Sequence, residues 1–454
     1  MPAPVSSLQD FAAETLERVR KALDGAVEAE VYVERYEDRS IELRAGELHG
    51  IEESRSAGLG LRLLKDGRAA FASRGGLDAE DVVEWAKTAA RSLEFLDKEE
   101  SRAFPRPAAA GGAETLPATL WDDSLFASPS EEMIERLHAM EAAAKGGEPA
   151  VAKILRSGYG EMRGEAALAN SLGVFVSERD GSVSAGLSAL ASRGGEIQVG
   201  SASSYARKRR DLDFGRLASD AAFRAAALLG ARKLPSGRRD VLLDPWVAGE
   251  FLGLVSDLLA ADNVQKGKSL LAGRLGSQIA GRAVTLVDDP LRPGGLASSL
   301  YDGEGCPSRT KTMIENGVLK DYFYDTQTAR KDGKDSNGSA GRSSYKSLPG
   351  PAASNFYLAP GRSSREEIIA GTSKGILVLD VMGMHMADTV SGEFSIGVSG
   401  LAVEGGKPAH PVQEAMIAGN LRDLLLGIDA VASDLTFYGS LGAPTFRIAG
   451  LSVA

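Results

Sequence analysis

The chain has 454 residues, with 52 Lys+Arg against 62 Asp+Glu for a formal charge of −10; 43% of its residues are apolar and 25% are charged. That length and mixture support about three packed domains and exclude disordered or collagen-like chains. An acidic chain has no broad basic face for nucleic acid or an anionic membrane, and no apolar run approaches the ~20 residues that span a bilayer, so neither partner is expected.

Ser7 is a candidate N-cap for an amphipathic helix whose apolar positions are Leu8, Phe11, Ala12, Leu16, Val19 and Leu23. Val31 and Val33, then Ile41 and Leu43, alternate with polar residues as strands do, and Asp66-Gly67 between two apolar runs predicts a hairpin. Helical spacing returns from Asp78 to about Leu93, which closes a first α/β unit at 1–96. Residues 97–118 are charged and then rich in Pro, Ala and Gly, the composition of a linker.

A second α/β unit is expected at 119–236. Ser128-Pro129-Ser130-Glu131 has the form of a capping box, which predicts a helix to about Lys145. Strands with turns at Asn170-Ser171-Leu172-Gly173 and Asp180-Gly181 should fill residues 150–206, before an Ala-rich helix over about 213–230. The third unit, 237–454, opens with a short strand and a helix from Pro245, continues as glycine-separated strands, and carries one more helix over about Met416–Ile428. The fold class expected is α+β, with N-terminal α/β units followed by a C-terminal β-rich domain.

No convincing catalytic constellation emerges from these residues. Residues 262–269, DNVQKGKS, resemble a P-loop but place Asp262 where glycine is needed and follow a helix rather than a strand. Ser308-Lys311 and Ser343-Lys346 match S-x-x-K without the companion K-T-G element. The four histidines, His49, His138, His385 and His410, offer no helical pair to zinc. His138 reads as a partly buried structural residue, whereas His385 stands three residues before Asp388 in a glycine-bounded loop. Cys306 is the one cysteine, so no intramolecular disulfide forms; it reads as an inert turn residue of a reducing, cytoplasmic compartment.

Several strings in order extend the reading across nearly the whole chain. They are GIEESRSAGLGLRLLKDGRAAFAS in the first unit, Asn170-Ser171-Leu172-Gly173 in the second, and YDGEGCPSRTKTMIENGVLKDYFYDTQTARKDGKDSNGSAGR, SGEFSIGVSGLAVEGGK, IAGNLRDLL and GAPTFRI in the third. Together they resemble the TldD/PmbA family, also called the modulator of DNA gyrase family. In its TldD branch, an H-E-x-x-x-H helix and a later cysteine hold zinc. The matching stretch here has Leu252 and Asp257 at the histidine positions and Gly253 at the glutamate position, and no cysteine lies between Asp429 and Pro444. The resemblance therefore implies the PmbA or TldE branch: a chain with no catalytic residues, metal or cofactor of its own. Such a chain is a subunit of a cytosolic zinc metallopeptidase that cleaves unfolded peptides and matures peptide precursors, with zinc in a TldD-type partner.

The resemblance also marks a candidate substrate or partner cleft formed by Asp302, Glu304, Ser391, Glu393 and His385. One alternative is a homo-oligomeric peptide-binding shell without catalytic activity. Another is an independent hydrolase using His385, Asp388 or a serine.

Overall fold

The computed structural model describes residues 7–23, 25–108 and 115–454, so residues 109–114 of the expected linker lie outside the described residues. Six long strands carry the first half: β1 (Glu28–Arg44), β2 (Glu47–Lys65), β3 (Arg68–Gly75), β4 (Val151–Asn170), β5 (Phe175–Arg193) and β6 (Glu196–Ala206). They form one sheet in the order β3-β2-β1-β4-β5-β6. The units expected at 1–96 and 119–236 are thus joined edge to edge, because β1 pairs antiparallel with β4 from Glu30↔Asn170 to Arg44↔Arg156. Each exposed strand edge would otherwise leave a row of unpaired amides.

Alternation gives this sheet two different faces. On β1 the odd residues Val31, Val33, Ile41 and Leu43 are fully buried under helices. Helices α1 (Leu8–Ala22) and α2 (Val82–Ser92) cover one end and form a core with Val31, Val33, Leu59 and Leu61. Past the short helix α3 (Pro117–Leu120), helices α4 (Ser130–Gly147) and α5 (Phe214–Ala226) cover the other end over Ile41, Leu43 and Tyr159. Ser7 caps α1 by accepting from the Asp10 amide, and Asp213 caps α5 by accepting from the Arg216 amide. The even residues Glu30, Tyr32, Glu34 and Tyr36 occupy the opposite face.

Several sequence expectations need correction. Asp66-Gly67 does turn the β2–β3 hairpin, with both residues at positive φ, but Asp180-Gly181 lies inside β5 rather than at a turn. Gly181 is there for close packing, since a Cβ would meet Leu125 Cδ1 at 2.6 Å. Ser128 is not the cap of α4, which starts one residue past Pro129; the Ser128 hydroxyl accepts from Arg209 instead. His138 is exposed, not partly buried. The stretch expected to be helical from Met416 is strand to Asn420, followed by a helix of six residues, Leu421–Leu426.

The expected linker is tied down where it is described. The Glu99 amide donates to Gly67 O at 2.8 Å, Phe104 is buried, and Asn170 Nδ2 donates to Pro105 O at 3.0 Å.

The C-terminal region begins with β7 (Gly237–Leu243) and α6 (Pro245–Leu259), whose N-cap Asp244 accepts from the Trp246 amide. β7 is central in a second six-stranded sheet, between Lys374–Met382 and Phe446–Val453. A third sheet contains Leu286–Asp288, Lys311–Glu315 and Phe356–Leu358. Helix α6 packs between the two sheets, against Leu441–Ala443 on one and Lys374–Met382 on the other, and buries Val247, Phe251, Leu252, Val255 and Leu259 in the largest core. Burying each such side chain contributes about 1.5–3 kcal/mol. The architecture is α+β. No helix among the described residues is long and apolar enough to cross a membrane.

Candidate functional site

A cavity of about 330 Å³ lies between the even face of the first sheet and the C-terminal region. Tyr32, Tyr36, Leu168, Glu178 and Asp180 line it from the sheet; Asp302, Ser339 and Arg342 are among the residues that line it from the other side. Tyr36 has room because its cross-strand partner is Gly164, where a Cβ would meet the tyrosine ring at 2.0 Å.

The Asp302-Gly303-Glu304-Gly305 turn lies at this junction. Asp302 Oδ1 accepts from the amides of Glu304 and Cys306, each at 2.9 Å, and Oδ2 accepts from the Ala340 amide at 3.0 Å. Burial and then the Glu304 charge push its carboxyl up to about 7, although those three amides pull it down. Gly305 has φ of +82°, and a Cβ there would meet Val174 Cγ1 at 2.6 Å, so the turn reaches the β4–β5 loop only with glycine. Burial and neighbouring carboxylates push the Cys306 thiol up to about 12, which leaves it protonated and a poor nucleophile.

Glu304 is the end of a buried chain of charges. Its Oε2 accepts from the Thr326 amide at 2.8 Å and its Oε1 faces Arg62 at 3.3 Å. Arg62 then bonds Glu30 at 2.8 Å, and Glu30 bonds Arg342 at 2.6 Å. Glu30 and Arg62 are directly opposed on β1 and β2, so strand register sets the first contact. The guanidiniums lie over aromatic rings, Arg62 on Phe104 and Arg342 on Tyr32. Two carboxylates and two guanidiniums thereby join the first sheet to the C-terminal region.

The other expected cleft residues lie elsewhere. His385 belongs to a short turn, Met384–Met386; exposed Ser391 follows on the loop after Lys374–Met382, and exposed Glu393 opens the strand Glu393–Glu404. Asp388 is occupied in shaping that loop: it accepts from the Val390 amide at 2.8 Å and from the Ser391 hydroxyl at 2.9 Å. Those bonds pull its carboxyl below the usual range. Glu393 accepts from Asn420 Nδ2 at 3.1 Å. The structure therefore brings Asp302 and Glu304 together and leaves Ser391 and Glu393 in a separate exposed segment, with His385 in the turn that precedes it.

Sequence reasoning missed Glu30, Tyr32, Tyr36, Arg62 and Arg342. The alternation EAEVYVERYED carried a signal, because its polar and aromatic positions recur every second residue opposite the apolar ones.

The metal positions implied by the family resemblance are on α6. Leu252 is buried in the core, Gly253 is half-buried and Asp257 is exposed. Together they offer one carboxylate and no nitrogen or sulfur, a donor set that does not fit zinc. Among the described residues, no three His, Cys, Asp or Glu side chains are grouped to hold a metal ion. The P-loop-like stretch makes no phosphate cradle: Lys266 pairs with Asp262 at 2.8 Å and Ser269 bonds Leu258 O.

Three models of one family match the chain in order: PmbA/TldA metallopeptidase domain 1 at residues 29–93, the central domain at 123–229 and the C-terminal domain at 236–454. The chain belongs to the TldD/PmbA family. It is 26% identical over 453 residues to the metalloprotease PmbA of Escherichia coli O157:H7, covering 98% of this chain and 96% of that one. It is 29% identical over 313 residues to a metalloprotease TldD homolog of Haemophilus influenzae, covering 66% and 64%. Among solved structures, a protein of Thermotoga maritima described as a modulator of a DNA gyrase superposes with a TM-score of 0.88 at 27% identity, over 99% of this chain and 100% of the other. Relatives bearing either branch name are thus similar in sequence to this chain.

Proposed function

We propose that this chain is the metal-free, TldE-like subunit of a cytosolic TldD/TldE-type zinc metallopeptidase that acts on unfolded peptides and peptide precursors. One observation carries the reading: α6 presents Leu252, Gly253 and Asp257 where the zinc-binding branch needs two histidines and a glutamate. An aliphatic side chain pointing into the core can neither bind the metal nor activate water. The proposed contribution is a wall of the peptide chamber, with zinc and catalysis in a TldD-type partner. The segment around Ser391, Glu393 and His385 is proposed as partner contact, supported by the exposure of Met382, Met386 and Val390 along it; clustered apolar exposure marks interaction surfaces.

The test is metal analysis and peptidase assay of the chain alone and after mixing with a TldD-type subunit. The reading requires negligible zinc and no peptidase activity alone, and chelator-sensitive activity in the mixture. Stoichiometric zinc in the isolated chain would overturn it.

A further inference from the structure

Two residues that line the cavity between the first sheet and the C-terminal region each carry a buried donor with no acceptor among the described residues. The Arg342 side chain is 2% exposed. Its Nε donates to Gly303 O at 3.0 Å and its Nη2 to Glu30 at 2.6 Å, which fixes the guanidinium and leaves Nη1 buried without a partner. Ser339 is 5% exposed, and its hydroxyl is buried and unpartnered too. Both residues line the cavity. A buried donor left unsatisfied has given up its hydration without replacement, so two of them, three positions apart in one segment, favour a ligand that brings an oxygen acceptor.

The surrounding charges narrow its chemistry. Four carboxylates line the cavity, Glu178, Asp180, Asp288 and Asp302, against two guanidiniums, Arg207 and Arg342. Arg207 is committed to Asp180 at 3.0 Å and to the carbonyls of Gly181, Gly295 and Leu296. Asp288 is committed to Lys311 at 3.0 Å. A bare anion such as phosphate would gain Arg342 but face the remaining carboxylates without a compensating charge. A molecule with its own ammonium group satisfies both sides.

We propose that this cavity binds a free α-amino acid or dipeptide as its zwitterion. The carboxylate lies on Arg342 Nη1 and Ser339 Oγ, and the ammonium group lies toward Glu178, a lining carboxylate without an ion-pair partner among the described residues. The volume of about 330 Å³ is at the small end of ligand pockets, which suits one or two residues rather than an extended chain. Tyr32 and Tyr36 supply an apolar wall for a small side chain. The proposal deepens the peptide reading above and rests on it for the class of ligand.

Isothermal titration of the full chain, without any partner, tests it with L-alanine, L-alanyl-L-alanine, N-acetyl-dialanine methylamide and sodium phosphate. Either uncapped probe should bind, and the one that does identifies the source; the capped probe and phosphate should not. Ser339→Ala should weaken the bound probe about fivefold, the equivalent of ~1 kcal/mol for one hydrogen bond, and Arg342→Lys should abolish binding. Circular dichroism checks that each variant folds, and if Arg342→Lys does not, the capped probe and Ser339→Ala carry the test. No heat from either uncapped probe, equal binding of the capped one, preferential phosphate binding, or unchanged affinity in folded Ser339→Ala would each overturn the proposal. Because binding is read on the chain alone, such a failure leaves the subunit reading to be decided by zinc content and mixed-complex activity.

Discussion

The Asp302–Gly305 turn and the Asp388–Glu393 loop are similar in composition and opposite in physics. Each combines acidic residues with a glycine at positive φ. In the first, Glu304 is buried against Arg62 and Asp302 accepts from three backbone amides, so each charge is answered by a partner. In the second, Asp388 and Glu393 are exposed and solvent screens their charges. Identical residue types therefore hold two regions of the fold together in one place and only shape a surface loop in the other.

Breaking the buried region should have the largest effect. Arg62→Ala strands Glu30 and Glu304 without their shared cation, and should cost about 3–5 kcal/mol in a urea denaturation. A loss under ~1 kcal/mol would show that this junction behaves like the exposed loop.

Gly305→Ala comes next. Its Cβ would collide with Val174 and its φ of +82° is strained for alanine, so a cost of about 1–3 kcal/mol is expected by the same measurement.

The pH dependence separates the regions further. Asp302 titrates at about 7 in the fold against an ordinary 3.8. Between those values the unfolded chain has released a proton that the folded chain retains, so this group lowers stability as pH rises through the interval, with the full penalty above it. Denaturation midpoints of the native chain should fall from pH 5 to pH 8 more steeply than those of Asp302→Asn. Equal slopes would remove Asp302 as the cause.

The smallest stability effect belongs to the exposed loop. Glu393→Ala should change stability by under about 0.5 kcal/mol, yet lower the peptidase activity of the mixed complex if the loop meets the partner. Unchanged activity and unchanged pairing on gel filtration would assign the loop a purely local role.

Local signals were legible where local physics decides. The spacing of Leu8, Ala12, Leu16 and Val19 specifies α1, and Asp66-Gly67 specifies its hairpin, because both depend on residues within one or two turns of chain. Gly181 misled because a glycine inside a strand looks like a turn until Leu125 is seen pressed against it. The strand at Met416 misled because its apolar run suits either structure, and pairing with Glu393–Glu404 decided the outcome.

The candidate site follows the same division. The sequence by itself determined the family, the α+β class, and the absence of donor side chains at Leu252 and Gly253. Only the tertiary structure put Glu30, Arg62, Glu304 and Arg342 in one buried chain and set Ser391 and Glu393 apart from Asp302. The reason is sequence separation: Arg342 meets Glu30 across 312 positions, and a contact of that range leaves no periodicity for local patterns to reveal. Burial supplies its energetic weight, and burial exists only once the sheet and the C-terminal region have closed on each other.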